Sequence, residues 1–381
     1  MNQQLSNFLR GRIKAGDFPS AAYFVAENGR VAACGALGYA VVEPERVPAQ
    51  IDTIYDVASL TKPLITGLLC AKMIERGDLR LDDKIEGYLP SFETNALTVR
   101  HLVTHTSGFK PWRPFYLDIR DTAATSDKLS NVIARLDLVE QPGKTVIYSD
   151  LNFIALQAII ENKFRSTLER IADDEIFRPL GLKNTGFNPS HVLQARIAAS
   201  EKGNEYEKQT CIDLGFLASG GDIGQFREDV IWGKVHDGNA YFMGGIAGHA
   251  GLFSTTEEIF KIGLQFLPEH SRLLSAEACD LFKTNFTSGM NEARSLSFQL
   301  AETPDSTAGN RMSPQSFGHL GFTGSSIWVD PVNDRIFVLL TNRTHGHELP
   351  FANINSTRRT FHEISAAELE KKATKNPENP S

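Results

Sequence analysis

Apolar and polar positions divide the chain into two β-rich ends and a helical middle. Residues 2–15 carry apolar side chains at helical spacing, which predicts a short amphipathic helix. Residues 20–42 (SAAYFVAENGRVAACGALGYAVV) predict two strands around a turn at Asn28-Gly29, a pair that supplies the positive φ of a two-residue hairpin. Near the other end, residues 316–330 (SFGHLGFTGSSIWVD) and 334–342 (DRIFVLLTN) are β-branched and aromatic runs joined by a turn at Pro331-Val332-Asn333-Asp334. A last helix is expected around 351–372, ending in the polar tail KKATKNPENPS, which has too little apolar surface to pack. Residues 60–290 read mostly as helices with long Gly- and Asn-containing excursions, especially over 184–250, and contain no internal repeat. Strands at both termini imply one sheet assembled from the two ends, with a helical unit inserted between them and a cleft where they meet.

Composition narrows the class without naming a chemistry. With 381 residues, 41% hydrophobic and 22% charged, the chain is an ordinary globular one, long enough for two to three core units. A net charge of −7 argues against a general electrostatic grip on nucleic acid or on an anionic membrane. No apolar run approaches the roughly 18 residues of a membrane span. The N-terminal stretch lacks the apolar core of a signal peptide, so a cytoplasmic location is expected, or a periplasmic one if a leader has been removed. Cys34, Cys70, Cys211 and Cys279 have no metal-ligand spacing, and buried thiols are expected rather than a disulfide framework.

The sharpest chemical signal is Ser59-Leu60-Thr61-Lys62, followed by a near-continuous apolar stretch that stops at Gly77. This places Ser59 at the start of a buried helix, with Pro63 tolerated in the first turn. Ser and Lys three apart share a face, so the amine can reach the hydroxyl, and burial is expected to lower the lysine pKa until it is a usable base. A second copy of the spacing, Ser107 to Lys110, contains Gly108 and precedes Pro111, and reads as a loop. Tyr148-Ser149-Asp150 ends a strand-like run just before an apolar helix. Ser149 or Asp150 is the expected N-cap, and Tyr148 either packs or moves protons. Tyr116-Leu117-Asp118 has the same spacing but no helix is expected after it. The run FGHLGFTGSS (317–326) holds three glycines, which marks either a bulge at a sheet edge or a close approach of another backbone or a ligand. His236, His249, His345 and His347 lack a carboxylate or cysteine pattern and are expected to be solvated loop residues, not metal ligands. The pairs Gly220-Gly221 and Gly244-Gly245 read as turns.

In this order the three segments resemble the serine β-lactamase and penicillin-binding-protein superfamily, whose signatures are Ser-x-x-Lys, a Ser/Tyr-x-Asn element and a Lys-Thr-Gly strand. The Tyr-based element is similar to the class C β-lactamase branch, with its carboxypeptidases and family VIII carboxylesterases. The likeness extends over residues 15–365, through YDVASLTKPL, LTVRHLVTHTSGF, PGKTVIYSDLNFIALQ, GGIAGHAGLFST and GFTGSSIWVDP. It implies an α/β fold of the β-lactamase type: an antiparallel sheet flanked by helices and built from both termini (residues 1–65 and 295–372), an inserted, mostly helical domain (66–294), and a flexible tail (373–381). By residue, it implies that Ser59 is the acylated nucleophile, Lys62 the adjacent base, and Tyr148 the group that helps pass the proton to the leaving group. Asp150 stands where an Asn amide ligand is usual. His319-Leu320-Gly321 stands where Lys-Thr-Gly is usual; Gly321 keeps the close backbone approach and the Phe322 N–H joins that of Ser59 in an oxyanion hole.

The implied reaction is acyl transfer through an acyl-enzyme, with no metal and no organic cofactor. His319 is largely neutral at pH 7 and is expected to gain charge toward pH 6. Losing the lysine that usually meets a substrate carboxylate favours small esters or amides, with Arg343 a candidate replacement cation. A D-Ala-D-Ala carboxypeptidase or weak β-lactamase is the alternative, and a non-catalytic binder of wall fragments or β-lactam-like molecules is the non-enzyme reading. Oligomeric state is not legible.

Overall fold

The computed structural model describes residues 1–92, 96–119, 124–218 and 226–375. Strands β1 (Ser20–Glu27), β2 (Arg30–Val41), β3 (Val47–Pro48), β7 (Gln299–Leu300), β8 (Phe317–Leu320), β9 (Ser326–Asp330) and β10 (Arg335–Thr341) form one antiparallel sheet in the order β3-β2-β1-β10-β9-β8-β7. The two termini therefore meet at its centre, where Ala21 of β1 pairs with Thr341 of β10 and Glu27 with Arg335. The hairpin turn has positive φ at both Asn28 (52°) and Gly29, the type I′ geometry its residues ask for.

β1 and β10 are buried on both faces, and alternation decides which face each side chain serves. Ala21, Tyr23, Val25, Phe337 and Leu339 face the terminal helices Asn2–Lys14 and Asn355–Lys375, packing with Leu5, Leu9, Phe361 and Leu369. Ala22, Phe24, Ile336, Val338 and Leu340 join the larger core on the other side. Helix Thr256–Gly263 lies there, with Phe260 stacked on Phe24 at 4.8 Å between centroids. The helical region is centred on Asp150–Phe164, whose residues 151–160 are all buried; such an all-round apolar helix is stable only when enclosed. A second sheet of β4 (Tyr55–Asp56), β6 (Leu252–Ser254) and β5 (Gly186–Phe187) ties the segment before Ser59 to the helical region. The expected tail lies mostly outside the described residues, since 376–381 are not described; the helix runs on to Lys375. Gly220-Gly221 also lies outside them, whereas Gly244 and Gly245 form a turn with positive φ. The four cysteines are free, and Cys70, Cys211 and Cys279 are buried.

Candidate active site

β4 ends at Asp56, whose carboxylate shapes the adjoining turn of chain. Its Oδ1 accepts the Ala58 N–H at 2.8 Å and its Oδ2 accepts the His236 N–H at 2.8 Å. Ala58 is held at φ +49°, a left-handed conformation that costs about 1 kcal/mol or more for a residue with a Cβ. The chain then enters a 3₁₀ turn, Ala58–Leu60, a π-helical segment, Lys62–Gly67, and an α-helix, Leu68–Glu75, with Gly77 in the left-handed region beyond it. The expected helix start is thus a 3₁₀ turn. Lys62 opens the π-helical segment one turn after Ser59, and its Nζ reaches the Ser59 hydroxyl.

Lys62 is fully buried; its ammonium donates to Ser59 Oγ at 2.9 Å and to the His249 carbonyl at 3.1 Å, and it ion-pairs with Asp150 Oδ1 at 2.7 Å. This corrects the expected protonation. Burial does press the lysine pKa down, but the Asp150 carboxylate and Tyr148 outweigh it, and the pKa lies above its ordinary 10.5. Lys62 is an ammonium at neutral pH because residue 150 is a carboxylate rather than an amide.

Asp150 is the first residue of helix Asp150–Phe164. Ser149 is at the N-cap position, but its hydroxyl donates to the Lys110 carbonyl at 2.7 Å instead of capping. The Tyr148 ring packs between cations and imidazoles: Lys62 Nζ is 4.9 Å and the Arg294 guanidinium 5.5 Å from its centroid, with His105 at 4.5 Å and His319 at 5.8 Å. The second Ser-x-x-Lys copy is a loop, as expected; buried Ser107 donates to Asn152 Oδ1 at 2.6 Å, and Lys110 points to solvent. Tyr116 lies in a short helix, Phe115–Asp118, and donates to Glu207 Oε1 at 2.8 Å.

His319 and Leu320 end β8; they pair with Ile327 and Ser326 of β9, whereas β7 reaches only Phe317 and Gly318, so the other side of this end of the strand is an open edge. A Cβ on Gly321 would lie 2.5 Å from the Val57 carbonyl, so the missing side chain serves the close approach of the segment that leads from β4 into the Ser59 turn. The turn over 321–325 is clamped from below. Arg358 donates to the Gly321 carbonyl at 2.7 Å and that of Ser325 at 3.0 Å, Arg343 to that of Phe322 at 2.7 Å, and Thr323 Oγ1 to that of Asp56 at 2.7 Å. Burial, with Arg343 nearby, brings the Arg358 pKa down to about 9. Among the described residues the N–H groups of Ser59 and Phe322 have no protein acceptor.

His319 is 4% exposed; its Nδ1–H donates to the Leu320 carbonyl at 2.8 Å, which leaves Nε2 as a lone pair without a partner. Burial, then the charges of Arg294 and Lys62, push its pKa well below 6.5, so the gain of charge expected toward pH 6 does not occur. Arg343 lines the cavity but is occupied by the Phe322 and Ala352 carbonyls and by the Phe322 ring, 4.8 Å away. The cation that local pattern did not reveal is Arg294. It is 5% exposed, pairs with Glu292 through Nη2 at 2.7 Å, and has no partner for Nε or Nη1.

The histidines also depart from expectation. His236, His249 and His345 are buried, not solvated: His236 contacts Glu201 at 2.7 Å, His249 contacts Asp237 at 3.0 Å, and His345 bridges the Ser200 carbonyl and the Val42 N–H. Donor atoms of Asp150, Asp237 and His249 lie within 4.8 Å of one another, a grouping in which a metal would compete with the Lys62 ammonium for Asp150. Ser59, Tyr148, Asp150, His319, Gly321 and Phe322 all line one cavity of about 510 Å³, with Lys62 beneath its floor. Glu207, Asp237, Trp112 and Tyr206 complete it from segments with no local motif, so only tertiary contacts could have revealed them.

The β-lactamase family model matches residues 5–358. The chain belongs to the beta-lactamase family. It is 31% identical over 369 residues to a protein of Escherichia coli K12 named "Putative D-alanyl-D-alanine carboxypeptidase", covering 90% of this chain and 82% of that one. Among solved structures it resembles EstCE1, described as a hydrolase with promiscuous acyltransferase activity (TM-score 0.71, 21% identity, 95% and 99% covered). It likewise resembles a class C β-lactamase from Rhodobacter sphaeroides (TM-score 0.69, 20% identity, 96% and 99% covered). The fold is β-lactamase-like and the protein is a serine hydrolase of this family.

Proposed function

We propose that Ser59 is the acylated nucleophile, served by Lys62, Asp150 and Tyr148, and that the substrates are small esters or amides. The observation that carries this reading is the Lys62 ammonium bridging Ser59 Oγ and Asp150 Oδ1. The substrate carbonyl oxygen sits between the Ser59 and Phe322 N–H groups, where preorganised donors stabilise the developing oxyanion. As Ser59 Oγ attacks, its proton passes to Lys62 while Lys62 gives one of its own to Asp150. Tyr148 donates a proton to the leaving group and regains one from Lys62, which is restored by Asp150. Water then releases the acyl group along the same path in reverse.

One observation favours a second reading, that of amides carrying a carboxylate beside the scissile bond. Arg294 offers two unpartnered, buried N–H groups beside Tyr148 and His319, so the cavity has a cation despite lacking the usual lysine. A panel of p-nitrophenyl esters, a chromogenic cephalosporin and a D-Ala-D-Ala peptide, run with wild type and Ser59→Ala, separates the readings. Fluorophosphonate labelling with peptide mapping should place the adduct on Ser59. An adduct elsewhere, or full turnover by Ser59→Ala, refutes the assignment.

A further inference from the structure

The segment that holds the second Ser-x-x-Lys copy is clasped to the chain on both sides of Tyr148. The His105 carbonyl accepts the Ile147 N–H at 2.8 Å, and the His105 ring nitrogen Nδ1 accepts the Ser149 N–H at 3.1 Å. One residue thus holds both neighbours of Tyr148, and its ring lies against the tyrosine ring, 4.5 Å between centroids. The contacts continue along the segment. The Thr106 and Gly108 carbonyls accept the Gly143 and Val139 N–H groups at 2.8 Å, the Lys110 carbonyl accepts the Ser149 hydroxyl at 2.7 Å, and the Pro111 carbonyl accepts the Asp150 N–H at 2.9 Å.

His105 pays for its place in backbone strain. It follows the helix Val99–Val103 with φ +59°, and non-glycine residues held in the left-handed region gather at functional sites. Its side chain is fully buried, and the Asn152 amide nitrogen lies 3.2 Å from Nδ1. Asn152 Oδ1 is taken by the Ser107 hydroxyl at 2.6 Å, which leaves the NH₂ group for the imidazole. A backbone N–H can only donate, so Nδ1 is a lone pair and the ring proton is on Nε2, which has no protein partner. A doubly protonated ring would set an N–H against that of Ser149. Burial, then the charges of Arg294 and Lys62, hold the pKa well below 6.5 and keep the ring neutral.

We propose that His105 is a positioning residue for Tyr148, its carbonyl and its Nδ1 lone pair fixing the backbone on either side of the tyrosine. This rests on the reading of Tyr148 as proton donor to the leaving group. A hydroxyl displaced by about an ångström would slow that proton transfer about a hundredfold. The oxyanion donors would stay in place, because the Ser59 and Phe322 N–H groups belong to other segments.

The test uses an ethyl and a p-nitrophenyl ester of the same acyl group. Ethoxide needs a proton in order to leave and p-nitrophenolate does not, so the first depends more strongly on where Tyr148 sits. His105→Phe keeps a ring but offers the Ser149 N–H no acceptor. His105→Asn offers an oxygen near the position of Nδ1 and tolerates the left-handed φ, but has no ring. In His105→Phe, kcat/KM for the ethyl ester should fall about a hundredfold, and that for the p-nitrophenyl ester clearly less. His105→Asn should recover about tenfold of the loss, the worth of one hydrogen bond. Equal losses for the two esters, wild-type rates in His105→Phe, or an Asn variant no better than the Phe variant overturn the inference and leave the hydrolase reading intact. If wild type turns over neither ester, the hydrolase reading falls, and this inference with it. Should His105→Phe fail to fold, the imidazole nitrogen-15 shifts of wild type decide, with the His105 signals identified by their loss in His105→Asn. Between about pH 6 and 8 they should show a bare Nδ1 and a protonated Nε2, and a protonated Nδ1 overturns the proposal.

Discussion

Replacing Asp150 by Asn is the most direct probe of the site, because it removes a charge while keeping the shape. In the wild type the folded pKa of Lys62 is raised, so the pair stabilises the fold fully below the unfolded lysine value near 10.4. That stability is lost only as pH rises through the higher folded value. Without the carboxylate, burial is left as the main influence, and the folded pKa drops below the unfolded one. Stability of the variant should then rise with pH between its lowered pKa and about 10.4. Breaking a buried pair by removing one partner costs about 3–5 kcal/mol. Asp150 keeps 16% side-chain exposure and an Asn oxygen can still accept from Lys62, so the lower end, about 3 kcal/mol, is expected at pH 7. For a chain of this length that is roughly 3–6 °C in Tm, and the gap from wild type should narrow toward pH 10. Activity should follow the same proton. With its acceptor gone, kcat/KM for a p-nitrophenyl ester should fall about 10²–10⁴-fold at pH 7 and recover in part once Lys62 is a free amine. Thermal melts and pH–rate profiles check both. Wild-type activity and an unchanged melting profile in Asp150→Asn would refute the claim that residue 150 sets the charge of Lys62.

Further expectations are as direct. Lys62→Met and Tyr148→Phe should each nearly abolish ester turnover, and the double variant should be little worse than the weaker single, because members of one proton path are not additive; multiplicative losses in steady-state kinetics would contradict this. Arg294→Gln should raise KM for a cephalosporin relative to an uncharged ester by about tenfold to a hundredfold, read as a ratio of kcat/KM values. Lowering pH from 7 to 6 should leave that ratio unchanged in wild type, since His319 stays neutral; a rise that His319→Gln abolishes would show otherwise. Gly321→Ala should lower kcat and Tm together, since the added carbon meets the Val57 carbonyl and displaces the turn carrying the Phe322 N–H.

What was legible in the sequence is what local pattern determines. The β-branched and aromatic runs of β1 and β10, the Asn28-Gly29 turn and the apolar run after Ser59 each reflect local composition and residues that tolerate positive φ. The Ser59–Lys62 spacing was legible because one turn of chain brings the two together. The protonation of Lys62 was not, since it depends on a carboxylate 88 positions away in sequence that the fold brings to 2.7 Å. His236, His249 and His345 were misjudged for the same reason, because burial is a property of the packed chain. Arg294 and Glu207 sit in segments with no motif, so nothing short of the folded cavity could assign them to it.

The two departures from the superfamily pattern act in one electrostatic direction. Asp150 in place of an amide adds a negative charge, and neutral His319 in place of a lysine removes a positive one. A site shifted so far toward negative charge would lose the positive field that an oxyanion requires, unless cations remained close to the acyl centre. They do remain: Asp150 itself keeps Lys62 charged directly beneath Ser59, and Arg294 is held against the Tyr148 ring. The substitution at 150 thus retains a cation under the nucleophile while adding a carboxylate to the wall that Asp237 and Glu207 also line. Turning that wall neutral at one position would disturb both at once. For that reason Asp150→Asn should impair the chemistry of every ester, whatever acyl group it carries.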